Sequence, residues 1–122
     1  RSTLFPYTTL FRSVKLMEPL IIGLARNDRY NANINELFRI FHNIKSASSF
    51  MKLNPIFKLT TLAEEICGEA RELQGPANDD FVDWLLLVSD QFEKYKNDIE
   101  TDAEFFGVLD ANIVKIPQKL DV

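Results

Sequence analysis

Residues 34–53, INELFRIFHNIKSASSFMKL, and residues 56–73, IFKLTTLAEEICGEAREL, decide the fold. In the first stretch the seam runs Ile34, Leu37, Phe41, Ile44, Ser48, Met51. In the second it runs Ile56, Leu59, Ala63, Ile66, Ala70, Leu73. Both alternate steps of three and four, which lines one face of a helix packed in a bundle. Between them, Asn54 is expected to cap the second helix, with Pro55 at its first position. Gly75-Pro76 is expected to end it.

Working outward, a third helix is expected after Asn78-Asp79-Asp80, with Phe81, Trp84, Leu85, Val88, Phe92 and Tyr95 on one side. Thr101 and Glu104 read as a capping box. It should open a fourth helix carrying Phe105, Leu109 and Ile113, stopped by Pro117. Upstream, MEPLIIGLARN makes a short first helix with Met17, Leu20, Ile21 and Leu24 inward, and Pro19 limits its extension backward. Strand alternation and hairpin turns are absent. The expected fold is all-α: an antiparallel up-down four-helix bundle with one additional flanking helix.

The totals exclude several function classes. The 122 residues are enough for one domain. A net charge of −4 argues against a nucleic-acid binder, which needs a basic face. No apolar run approaches a membrane span. The single cysteine, Cys67, permits no internal disulfide, fits a reducing cytoplasm, and reads as a buried seam residue. One cysteine and the one histidine are too few for a structural zinc site. No Gly-rich phosphate loop is present, so ATP binding is not expected.

The N-terminus has its own signature. Thr3-Leu4-Phe5 is echoed by Thr9-Leu10-Phe11, and no helical period explains the echo. TLFPYTTLFRS, residues 3–13, resembles the in-frame translation of a common sequencing-adapter oligonucleotide. Residues 1–13 are therefore expected to be non-native, and residues 14–122 to form the bundle domain.

Chemistry concentrates around His42. It follows the seam residue Phe41, which puts it at the edge of the buried stripe, half facing solvent. Lys45 lies one turn on. Ser46, Ala47, Ser48 and Ser49 follow, small side chains that leave room for a large partner to approach the ring. The hairpin centres near Leu53, with His42 eleven residues before it and Glu64 eleven after. In an antiparallel pair rising ~1.5 Å per residue, equidistant residues sit level, so the two are expected to meet. A carboxylate on one imidazole nitrogen fixes the tautomer and leaves the other as a nucleophilic lone pair. Lys45 would supply positive charge for an anion there. The arrangement suits phosphoryl transfer, in which positioning carries most of the catalysis.

These residues also resemble a family. FHNIKSASSFMKL followed by LTTLAEEICGEAR is similar to the histidine phosphotransfer (HPt) domain, especially the type found at the N-terminus of chemotaxis histidine kinases. The resemblance spans about residues 17–115. It implies His42 as phosphoacceptor, with Lys45 and Glu64 supporting it. It implies a phosphoryl carrier that is not an autonomous enzyme. The phosphoryl group would come from a kinase's ATP domain or a receiver aspartate and pass to a receiver aspartate. Mg²⁺ and ATP would belong to the partner domains, with no cofactor bound here. A monomer is expected. Ser46 stands where the family usually has glycine, Ser49 and Lys52 where chemotaxis types often have more, and Thr61 replaces a usual histidine. Arg39, Ser46 and Ser49 are candidate partner-docking residues; Phe38 is read either as core or as part of that surface. The alternative reading is an HPt-like interaction bundle that docks a receiver or kinase without carrying phosphate. A hydrolase finds no triad or metal set to support it.

Overall fold

The computed structural model describes residues 5–27 and 29–122, with side chains from Tyr7 onward. Four helices follow in order: α1 Phe5–Ala25, α2 Tyr30–Phe50, α3 Asn54–Arg71 and α4 Asp79–Glu100. A single 3₁₀ turn, Ala111–Val114, follows. No strand occurs among the described residues, only an isolated bridge between Ala77 and Asp121. Helix α2 packs against α1 and α3, and α4 packs against α1 and more lightly against α3. The short turns make neighbours antiparallel, so the fold is the expected up-down bundle.

The seams read from the sequence are the core. Ile34, Leu37, Phe41, Ile44 and Ser48 of α2 are buried, as are Ile56, Leu59, Ala63, Ile66 and Ala70 of α3. Phe41 stacks on Phe92 of α4 with centroids 5.9 Å apart. Cys67 is buried and free, and burial pushes its thiol pKa up. Asn78 caps α4 by accepting from the Phe81 N–H at 2.8 Å. Asn54 does not cap α3: it is the first helical residue, Leu53 occupies the cap without a side-chain bond, and α3 is held instead by Pro55 in its first turn.

Two expected elements differ. The first helix is long, running through Pro19 rather than starting near it. Proline removes one backbone bond and crowds the preceding turn. Here its ring lies on the exposed face, where water can reach the freed carbonyl. Leu10, Val14 and Met17 upstream and Ile21 and Leu24 downstream are all buried on one stripe, so packing on both sides outweighs the break. Residues 5–13 thus join α1; residues 1–4 of the adapter-like stretch lie outside the described residues.

The expected helix from Thr101 does not form. Thr101 closes α4 instead, its hydroxyl donating to the Asn97 carbonyl at 2.9 Å. Asp102 takes a φ of 53°, a left-handed turn that breaks the helical path. The chain then runs back along α4 as an irregular strap. Side chains of α4 and its cap satisfy the strap's backbone. Asp98 accepts from the Gly107 N–H at 2.8 Å, Gln91 from Asp110 N–H at 2.9 Å, and Trp84 Nε1–H donates to the Ile113 carbonyl at 2.8 Å. Asn78 donates to the Lys119 carbonyl at 2.8 Å. Ile113 and Leu120 are buried, and Phe106 meets Tyr95 edge-on at 5.3 Å. Of the expected stripe, Ile113 is buried and Leu109 packs against the core without a helix, while Phe105 stays exposed; α4 supplies hydrogen bonds that a helix would have made internally.

Candidate functional site

His42 stands on the outer edge of α2, beside the buried Phe41. Its Nδ1–H donates to Glu64 Oε2 across the α2–α3 hairpin at 2.7 Å. The tautomer follows from the partner: an ionised carboxylate only accepts. Nε2 is then left with its lone pair, and among the described residues nothing bonds it. The imidazole side chain is 61% exposed and the Glu64 side chain only 16%. An anchored acid thus holds an open ring.

Lys45 is half-buried, and its ammonium donates to Glu64 Oε1 at 3.3 Å. The two oxygens of Glu64 therefore serve two residues of α2 one turn apart. The sequence placed Lys45 beside an incoming anion; the structure adds that it also neutralises the acid that holds the ring. Ser48, next on the seam, turns its hydroxyl inward to the Lys45 carbonyl at 3.0 Å. Thr61 bonds its own helix, donating to the Phe57 carbonyl at 2.8 Å.

Two shallow depressions flank the ring. Lys45, Ser46, Ser49, Phe50 and Phe57 line one with His42. Asn35, Phe38, Arg39 and Arg71 line the other with it. Ser46 and Ser49 are exposed. Phe38 packs against the core and also lines the second depression. Arg39 is exposed and paired with Glu36 on its own helix.

Sequence reasoning missed Phe50, Phe57, Asn35 and Arg71. Phe50 is 76% exposed, and its signal was present: it falls off the seam just before the turn. Arg71 had no such signal, because its place depends on how α3 sits against α2. No group of three or more His, Cys, Asp or Glu able to hold a metal occurs among the described residues. No helix among them is long and apolar enough to cross a membrane.

Comparison with known proteins supplies the family. The Hpt domain family matches residues 15–103. The chain is 28% identical over 94 residues to the chemotaxis protein CheA of Salmonella typhimurium, an alignment covering 74% of this chain and 14% of CheA. No solved structure gives a significant match. A helical bundle matched by that family over most of its length, with its one histidine on the bundle surface, belongs to the Hpt domain family, the histidine phosphotransfer modules of phosphorelay signalling.

Proposed function

We propose that His42 is the phosphorelay point of this chain, and that residues 14–122 are the natural domain that carries it. A kinase's ATP-bearing domain or a phosphorylated receiver delivers the phosphoryl group, and a receiver aspartate takes it away. The observation that carries the reading is the 2.7 Å bond from His42 Nδ1–H to Glu64, with the opposite nitrogen open to solvent. The partners supply Mg²⁺ and ATP, and the setting is the cytoplasm.

The step balances without a proton leaving the ring. The Nε2 lone pair attacks phosphorus, the N–P bond forms, and the bond from phosphorus to the donor oxygen breaks with its electron pair on that oxygen. The ring becomes cationic while Nδ1 keeps its proton. Glu64, already bonded to that proton, stabilises the new charge in a charge-assisted hydrogen bond. Ser46 and Ser49 leave space for the partner, and Lys45 keeps the carboxylate of Glu64 in place. On return to a receiver aspartate the same movements run backward.

The test is direct labelling. The protein is incubated with the ATP-bearing part of a CheA-type kinase and γ-labelled ATP. Acid-labile, base-stable label that disappears in His42→Gln supports the carrier. Binding of a receiver without any label would favour the interaction bundle instead.

A further inference from the structure

Among the cations beside the imidazole, two are already committed. Lys45 is bonded to Glu64, and Arg39 is paired with Glu36. Arg71 is different. Its Nε–H donates to Asn35 Oδ1 at 2.8 Å, and its guanidinium carbon stacks 4.2 Å from the centroid of Phe38. It pairs with no carboxylate among the described residues, so both terminal nitrogens remain available. Phe38 lies one turn before His42, and the two side chains line one depression with Arg71.

We propose that Arg71 is a specificity-determining docking residue that takes a carboxylate on the rim of the receiver domain. The inference rests on the carrier reading of His42 for its partner. A domain that brings a receiver aspartate and Mg²⁺ to His42 brings other acids with it, because Mg²⁺ is held through carboxylates. Arg71 meets that acidic face with a planar fork fixed on two sides, by the Asn35 bond and by the Phe38 ring. A fork held this way loses little freedom when it closes on a carboxylate in bidentate fashion. Stacking on Phe38 gives orientation without spending charge, since an aromatic face attracts the cation but does not neutralise it. Lys45 and Arg39 cannot offer the same pull while a glutamate faces each.

The test compares wild type, Arg71→Gln and Arg71→Lys. Each is first labelled to completion at His42 with phosphoramidate, a small donor that needs no docking, and all three should reach the same extent of labelling. Affinity for a chemotaxis-type receiver with Mg²⁺ is then measured on unphosphorylated protein. Arg71→Gln should weaken it roughly three- to fivefold, the size of one exposed charge contact. Its salt dependence should flatten, because a rim charge acts through a screened field. Arg71→Lys should fall between, keeping the charge and losing the fork. In transfer assays KM should rise for Arg71→Gln with kcat unchanged, which a loosened fold would not produce. Equal affinity and equal salt slope in Arg71→Gln and wild type overturn the inference. Failure of phosphoramidate to label wild type overturns the carrier reading instead, and the affinity comparison still decides the role of Arg71.

Discussion

The Tyr30 hydroxyl donates to the Ala70 carbonyl at 2.7 Å, tying the first turn of α2 to the last turn of α3. The same ring lies so close to Gly75 that a Cβ built there would stand 2.6 Å from it, and Gly75 has a φ of 75°. Gly75→Ala therefore meets two obstacles, a left-handed backbone and an occupied space. Its expected cost is at least about 2 kcal/mol. Tyr30→Phe should cost less, about 0.5–1.5 kcal/mol, because the Ala70 carbonyl keeps its bond from the Leu73 N–H at 3.1 Å. Urea melts of both variants give the order; a Gly75→Ala protein as stable as wild type would contradict the packing.

Alkali should probe the same corner. Burial raises the Tyr30 pKa above its ordinary value, with Asp121 and then Cys67 adding to the rise. Burial also raises Tyr95, with Asp98 adding and Gln91 opposing. A raised folded pKa means the unfolded chain gives up its phenolic proton first. The contribution is complete below the ordinary tyrosine pKa of about 10 and is lost as pH climbs through the folded value. Stability should fall above that pH, less steeply in Tyr30→Phe and least in Tyr30→Phe/Tyr95→Phe. Melting temperatures taken in steps across the alkaline range measure the slopes.

The strap beyond residue 103 lies past the family match, yet it completes the core. Removing residues 104–122 strips the Ile113 and Leu120 side chains and leaves the indole of Trp84 without its carbonyl. Two buried aliphatic side chains are worth about 3–5 kcal/mol together. The shortened protein should unfold at lower denaturant. Its phosphoramidate labelling should be unchanged, since no strap residue lines either depression beside His42.

Helices α2 and α3 were legible because both seams are local, periodic and buried at nearly every step. The level of His42 and Glu64 was legible too, since a short hairpin turns equal distances from Leu53 into equal heights. The strap was not. Thr101 and Glu104 fit a helix start as well as a helix end, and only the side chains of Gln91, Trp84 and Asn78 decide that the tail backbone is satisfied from outside. The length of α1 was hidden by Pro19, whose local cost is outweighed by packing that the local sequence does not display. Arg71 was hidden for the same reason, since its stacking on Phe38 joins two helices.

The adapter-like segment gives a prediction at the other end. A protein beginning at Val14 loses Leu10 from the core and Phe11 from beside Lys96, whose ammonium stands 5.8 Å from that ring. If residues 14–122 are the natural domain, the shortened protein still folds. It should be less stable by about 2–3 kcal/mol, the value of one buried leucine with its neighbours. Circular dichroism and a thermal melt decide; a protein without helical signal would assign the first turns of α1 to the domain.

Glu64 separates orientation from charge. In Glu64→Gln the amide oxygen can still accept from Nδ1–H, so the tautomer that frees Nε2 survives. What disappears is the negative charge facing the ring as it becomes cationic. A charge-assisted bond is worth about 1.5–3 kcal/mol, so phosphoramidate labelling should slow roughly 10- to 100-fold. Glu64→Ala loses both, and a neutral ring can then place its proton on either nitrogen. Both variants free Lys45 from the carboxylate 3.3 Å away, leaving an unneutralised cation near the ring that can draw the anionic donor closer. Labelling of both variants should therefore fall with added salt more steeply than that of wild type. Equal rates in wild type and Glu64→Gln would mean that the carboxylate orients the ring without stabilising its charge.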